Sequence, residues 1–408
     1  MSSSHPYSHE LDWPEDIGPF DAVSFSIQAD PFPYYAWMRD NAPALRTSTP
    51  SGDVWFLSRY EDIRQAFRSP KVFGSQVMDP YLLRFLTILD SPDHPRLRRA
   101  VAPHFIPKSL EALRPGVAAQ ARQLLGDLAA AGGGDIVNGF ALPLTMKTIA
   151  SVLGLRFSEI DQLKEWSDAM SSYFGRVGRN APGAAGDKET TAEFFQFLEG
   201  EMKEAHARGE ESLIAKLYGQ YLSGDLTHDE AVHMVGFMFV AGHETTTIII
   251  ANLMTTLSEH PDLIVRLRGD DTLLAPCVEE QVRYRGTLQR VSRMTYEDAE
   301  VAGVTIPKGS FVKLLPGSAN RDRTVFDNAD MFDIGRDNAA HIGFGHGIHM
   351  CLGAPLARLE ATAALKEFSA VMDGIAIDRS KPIIYVEGGN MANSGPSSMH
   401  VKLEPRAA

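Results

Sequence analysis

The stretch Phe344-Gly345-His346-Gly347-Ile348-His349-Met350-Cys351-Leu352-Gly353 sets three glycines and two histidines around one of the chain's two cysteines, and a helical run follows from Ala354. Glycine tolerates positive φ and lets backbone approach closely. A cysteine just ahead of a helix N-terminus sees the positive end of the helix dipole, which favours thiolate over thiol. A thiolate in a tight, glycine-lined loop suits a soft or borderline metal. Three other readings compete. A lone cysteine is more often a small buried hydrophobe than a ligand. The glycines imitate a dinucleotide loop, but Gly343-x-Gly345-x-x-Ile348 and Gly345-x-Gly347-x-x-Met350 both lack the third Gly or Ala and follow no clear strand. His346, His349 and Cys351 offer zinc ligands, yet no second cysteine pair completes a tetrahedron.

The rest of the chain narrows the class. Its 408 residues carry 39 Lys and Arg against 52 Asp and Glu, a net charge of −13, with 44% hydrophobic and 22% charged residues. That composition is globular, and the acidic balance argues against nucleic acid as a partner. Two cysteines, Cys277 and Cys351, exclude a disulfide framework and point to a reducing cytoplasm. Met1 to Phe20 is polar, with no basic segment leading into an apolar one, and reads as an extended N-terminal segment rather than a signal peptide. Met234 to Met254 is long enough to cross a membrane, but Glu244 at its centre would be costly in lipid. It reads as a buried helix, with no membrane role.

Helical patterns dominate, over Asp30–Asn41, Arg59–Arg68, Pro95–Phe105, Leu110–Ala131, Pro143–Leu153, Phe157–Phe174, Glu189–Arg208, Glu211–Leu222, Asp271–Tyr284 and Pro355–Met372. Thr227-His228-Asp229-Glu230 predicts a capping box, Thr227 as N-cap and Glu230 at N3, opening the longest run, to about His260. Strand signals are sparse: Asp53–Ser58, Arg293–Thr295, Glu300–Val304, Phe311–Leu314, and a last pair near Ile383–Val386 and Met399–Leu403. Asn180–Lys188 reads as a loop. The expectation is one domain over residues 1–408, mainly α with small peripheral sheets.

Inside the long run, Ala241-Gly242-His243-Glu244-Thr245-Thr246 places an acid beside an alcohol. Thr245 can turn its hydroxyl to the carbonyl of Ala241, four residues back, and open the helix locally. Gly242 removes bulk there, which would leave a groove for O2 or water. A polar belt in a buried helix is the plainer reading, and a zinc-protease reading fails because the fourth residue after His243 is Thr247. Glu280 and Arg283 share a helical face, as a surface ion pair would.

Taken together, Phe344-x-x-Gly347-x-x-x-Cys351-x-Gly353, the Ala241–Thr246 motif and the Glu279–Tyr284 segment resemble the cytochrome P-450 family, and matches run in the family's order from about Pro31 to Met372. The resemblance implies the cytochrome P-450 fold, mainly α, with a long central helix over haem b. It makes Cys351 the metal ligand, a thiolate that pushes electron density onto iron. Phe344, Gly345 and Gly353 would shape the cofactor loop, with Ala241 also against the haem. Glu244 and Thr245 would deliver protons to the oxygen being activated. His94, Arg98, Arg293 and His349 would meet the propionates, a task that suits cations. Glu280 and Arg283 would be structural. Many relatives complete that pair with a third basic residue, but Met331 stands at the aligned position here, and Arg336 is the nearby candidate.

The implied activity is insertion of one oxygen atom of O2 into a small to medium apolar substrate, by hydroxylation or epoxidation. Tyr81, Leu82, Phe85, Phe237, Val240, Leu288, Gln289, Val291 and Met391 would line the pocket, with Tyr81 or Gln289 as a polar handle. Electrons would come from NAD(P)H through a separate ferredoxin-type donor and its reductase, docking on a basic patch around Arg96 and Arg99 of a cytoplasmic monomer. The alternatives are an H2O2-dependent peroxygenase, which would not need Glu244 and Thr245, and a non-catalytic haem sensor, which would not need the groove.

Overall fold

The computed structural model describes residues 8–18, 20, 30–49, 52–77, 84–156, 159–177, 184–385 and 393–407. The helices that matter are α1 (Phe32–Asn41), α2 (Tyr60–Arg68), α3 (Asp93–Val101), α4 (Arg114–Ala130), α5 (Leu142–Leu153), α6 (Ile160–Val177), α7 (Ala184–Ala207), α8 (Leu213–Ser223), α9 (His228–Glu259), α10 (Asp262–Gly269), α11 (Leu274–Arg285) and α12 (Ala354–Val371). The strands are β1 (Ala44–Thr49), β2 (Gly52–Leu57), β3 (Phe73–Gly74), β4 (Gly133–Asp135), β5 (Val291–Thr295), β6 (Ala299–Val301), β7 (Val304–Ile306), β8 (Phe311–Leu314), β9 (Met372–Ile377) and β10 (His400–Pro405). The chain divides into two compact units, each built from separated stretches: Met1–Met78, Glu279–Cys351 and Tyr385–Gly395 in one, Asp79–Val278, Leu352–Ile384 and Pro396–Ala408 in the other.

The first unit holds a five-stranded sheet in the order β1-β2-β8-β5-β3. β1 and β2 form an antiparallel hairpin with Ala44 opposite Leu57, and β2 runs parallel to β8. Tyr35, Met38, Leu45, Phe56, Leu57, Ile63, Val312 and Leu314 fill the core beneath it. β1 escaped the sequence reading because Leu45-Arg46-Thr47-Ser48 offers little apolar alternation. The hairpin and the Arg46–Asp53 pair across it (3.0 Å from Nε) hold it instead. The expected strand over Glu300–Val304 is broken by a turn at Ala302 and Gly303, both at positive φ (52° and 79°), which makes it the β6-β7 hairpin. Where described, the amino-terminal segment is not extended. Trp13 stacks on Trp37 of α1 at 3.9 Å and Phe20 is buried.

The second unit is helical around α9, with a β4-β10-β9 sheet at its margin. The capping box forms as expected: Thr227 Oγ1 accepts the Glu230 N–H at 3.2 Å, and the Glu230 carboxylate accepts the Thr227 N–H at 3.0 Å. α9 passes the length and composition test for a membrane span, but 72% of its apolar window is buried inside the protein, as befits a core helix. α7 begins at Ala184, so the second half of the expected Asn180–Lys188 loop is helix, while residues 178–183 lie outside the described set.

Candidate active site

The cysteine loop is shaped by its own backbone. Gly345 and Gly347 sit at φ of 74° and 73°, the left-handed region that glycine enters without strain. A Cβ on Gly347 would also lie 2.4 Å from the Phe67 carbonyl oxygen near the end of α2. The Gly345 N–H donates to Ile342 O at 2.9 Å, the Met350 N–H to Gly347 O at 3.1 Å and the Cys351 N–H to Phe344 O at 2.9 Å. The loop thus closes on itself and carries Cys351, exposed and outside any disulfide, three residues before α12. Phe344 and Gly345 are partly exposed, and Gly353 is the N-cap of α12.

Contacts to Asn320 and to α11 fix the loop's entry. The Ile342 N–H donates to Asn320 Oδ1 at 2.8 Å, His341 Nε2 pairs with Glu279 at 2.8 Å, and Gly343 abuts Val282 so closely that a Cβ would meet it at 2.5 Å. His349 Nε2 pairs with the buried Ser75 Oγ at 2.9 Å. His346 Nε2 accepts from Arg68 Nε at 3.0 Å, and burial together with Arg68 and Arg64 pushes its pKa down, so it stays neutral. Among the described residues no three His, Cys, Asp or Glu side chains gather as a metal-holding cluster, so the zinc reading gains nothing. Arg293 on β5 is buried over the Phe67 ring at 5.6 Å.

Glu280 and Arg283 are not a surface pair. Both side chains are fully buried, joined by two 2.7 Å bonds. Arg283 also donates to the carbonyls of Asn320, Ala329 and Met331 at 2.8–3.0 Å. Met331 turns its side chain to solvent, and Arg336 takes up the third place: its Nε reaches Glu280 Oε1 at 3.4 Å and its Nη2 reaches Asn328 O at 3.2 Å.

In the second unit, His94 is buried and Arg98 partly exposed, one turn apart on α3. α9 is buried along most of its length, yet His233, Phe237, Ala241, Gly242, Glu244 and Thr245 are partly exposed. They form a stripe at helical spacing. Thr245 Oγ1 donates to Ala241 O at 2.9 Å, the expected back-bond. A Cβ on Gly242 would also meet the Ile149 side chain of α5 at 2.7 Å, so close helix packing constrains this position too. Ser171 of α6 donates to Glu244 Oε2 at 3.3 Å. The neighbouring His243 points into the core, bonded through Nε2 to Ser167 Oγ at 2.6 Å. Burial, with Lys164 adding to it, lowers its pKa to about 3.

The apolar pocket candidates separate. Phe85 is buried and stacks on Phe237 at 4.9 Å. Val240 is buried. Leu288 is partly exposed and bridges to Asn393, and Val291 packs on the first unit's core. Gln289 is buried, donates to Gly286 O at 2.7 Å and turns Oε1, which has no hydrogen-bond partner among the described residues, toward Gly317. Tyr81, Leu82 and Met391 lie outside the described residues. The expected docking patch is weakened too, because Glu230 and Asp93 meet the charge of Arg96. Sequence reasoning passed over His233 and Phe195, whose rings pack at 4.7 Å. The row read backwards from Thr245 in steps of four passes through Ala241, Phe237 and His233 and would have found the first.

A family model described as "Cytochrome P450" matches residues 42–368. The chain is 34% identical over 374 residues to the cyclomarin C epoxidase CymV of Salinispora arenicola, covering 89% of this chain and 93% of that one. It is 34% identical over 379 residues to the cytochrome P450 monooxygenase PikC of Streptomyces venezuelae, covering 90% and 88%. The solved structure of CalO2 superposes with a TM-score of 0.84 at 29% identity, covering 95% of this chain and 99% of that one. An exposed cysteine in a glycine-shaped loop, a buried Glu-Arg pair and an acid–alcohol pair on a long core helix agree with these matches, and the chain belongs to the cytochrome P450 family of haem monooxygenases.

Proposed function

We propose that Cys351 is the thiolate ligand of haem iron, that His94, Arg98, Arg293 and His349 engage the propionates, and that Glu244 and Thr245 carry protons to the reaction. The residues present fit such a group. Cys351 is exposed on a loop whose amide bonds already pin its backbone. Buried or partly buried cationic and imidazole side chains stand in each unit. The observation that carries the reading is the partly exposed stripe from Phe237 to Thr245 in the middle of a helix buried along most of its length. When bound, haem with a thiolate ligand supplies the activation of O2 for transfer of one oxygen atom.

The chain's own residues do the rest. Ser171 holds the Glu244 carboxylate, and the Thr245 hydroxyl is oriented by Ala241 O, so an acid and an alcohol stand side by side on the stripe. Such a pair relays protons over short distances. Phe85 and Phe237 supply an aromatic wall, which excludes water and selects an apolar substrate of small to medium size. The Glu244–Thr245 pair disfavours the peroxygenase reading, in which no proton need be delivered to activate O2. Electrons from NAD(P)H reach the protein through a ferredoxin-type donor, and the enzyme works as a cytoplasmic monomer, in keeping with the burial of its one membrane-length helix among the described residues.

The deciding experiment is the carbon monoxide spectrum of the reduced protein. Fresh protein should absorb at the long-wavelength position typical of thiolate ligation, and Cys351→Ala should lose that band. Survival of the band in the variant defeats the ligand assignment.

A further inference from the structure

His233 sits in the second turn of α9, two turns before Ala241 on the same partly exposed stripe. Two rings frame it: Phe195 of α7 at 4.7 Å and Phe85 at 6.4 Å, the latter stacked in turn on Phe237 at 4.9 Å. Its Nδ1 accepts the Arg84 backbone N–H at 3.4 Å. A neutral imidazole that accepts at one nitrogen carries its hydrogen on the other. Burial lowers the His233 pKa, despite the opposing pull of Asp229, so the ring is neutral near pH 7. Nε2–H is therefore a donor, and no described residue accepts from it. A single donor in an aromatic wall is how a largely apolar pocket fixes the orientation of its ligand.

We propose that His233 is a specificity-determining residue whose Nε2–H donates to a carbonyl or hydroxyl oxygen on an otherwise apolar substrate, setting which carbon is presented for oxidation. The inference rests on the monooxygenase reading above and adds the substrate class: a molecule with one acceptor oxygen far from the oxidised carbon. Eight residues separate His233 from Ala241, so the span along the helix is about 12 Å. An oxygen held at His233 directs oxidation to a carbon about that far away. Replacing this donor leaves the wall's size and shape nearly unchanged, so His233→Phe isolates the hydrogen bond.

The test uses the haem-loaded enzyme and three probes of equal carbon count: 2-undecanone, 6-undecanone and undecane. Binding is read as the low- to high-spin titration, and oxidation position by product analysis. For 2-undecanone the acceptor lies near one end of the chain. One net hydrogen bond corresponds to a Kd ratio of about 3 to 10 over undecane. 6-Undecanone carries the same oxygen mid-chain, too near the reacting end, and should gain nothing. The wild type should oxidise 2-undecanone at the end far from the carbonyl. In His233→Phe the 2-undecanone to undecane ratio should fall to about one and the oxidation position should scatter, while His233→Gln, which keeps an N–H donor, should restore part of both. A wild type that binds the three alike, or a preference that survives in His233→Phe, overturns the proposal while the carbon monoxide band stays intact. Loss of that band in the wild type would instead remove the monooxygenase reading, and this inference with it.

Discussion

Glu360 on α12 is the residue whose chemistry is least expected from its sequence context. It is fully buried, and neither carboxyl oxygen has a hydrogen-bond partner among the described residues. The nearby Thr148 hydroxyl is committed to Leu144 O at 2.8 Å. Burial raises the Glu360 pKa well above its ordinary value, and the opposing pull of Thr148 is too weak to reverse it. The folded protein therefore holds a proton that the unfolded chain releases near pH 4.5. Stability from this group is fully present below that value and is lost as pH rises toward the folded pKa. Glu360→Gln removes the ionisable proton and keeps the shape. The difference in unfolding free energy, variant minus wild type, should thus grow in the variant's favour between pH 5 and pH 9, by about 1 kcal/mol or more. Urea midpoints at the two pH values check it, and a flat difference refutes it. His243, lowered to about 3 by burial, works in the other direction: its stabilising contribution is present above about pH 6.5 and fades as acid charges the unfolded chain first.

At the scale of elements, α11 is the piece that braces the cysteine loop. One helix face offers Glu279 to His341, Glu280 and Arg283 to the Ala329–Arg336 turn, and Val282 to Gly343. Arg336 is the joint: it ties Glu280 to the carbonyls of Asn328 and Met331. Arg336→Met should lower stability by about 2 kcal/mol, because a buried carboxylate loses a charged partner. Arg336→Lys should recover the charge but not the forked geometry, and so only part of the stability. Thermal unfolding of the three proteins decides, and equal midpoints would make Arg336 a bystander. This joint also marks where the sequence stopped being legible. Glu280 and Arg283 were readable because three residues apart on a helix is a local relation. Arg336 could be named only as a nearby candidate, since its partner lies 56 positions away and only the folded turn brings it there. The Thr227–Glu230 cap was readable for the same local reason. Gly242 was read as a place that needs little bulk, and Ile149 of another helix adds a constraint that the sequence did not show. Periodicity likewise gave α9 its length and its buried faces, but not that His233 would stay partly open.

The whole molecule carries −13, and an acidic electron donor would meet a repulsive field at long range. Docking then depends on a local exception. Beside the cysteine loop, Arg68 donates to His346, Arg64 stands one turn back on α2, Lys71 is exposed, and Ile348 and Met350 present apolar side chains to solvent. That combination, a small apolar centre with basic residues at its edge, is what a transient electron-transfer contact needs. The two fields respond oppositely to salt. With a Debye length of about 10 Å at 0.1 M salt, added salt relieves the global repulsion but also weakens the local attraction. If the patch near Cys351 governs encounter, the rate of first-electron transfer from an acidic ferredoxin should fall as salt is raised. Arg68→Glu should slow it about tenfold at low salt and much less at high salt. Stopped-flow reduction under carbon monoxide, across a salt series, measures both. A wild-type rate that climbs with salt would show that the net charge dominates and that the donor docks elsewhere. The salt slope therefore reads the sign of the charge the donor meets, and Arg68→Glu reads where that charge sits.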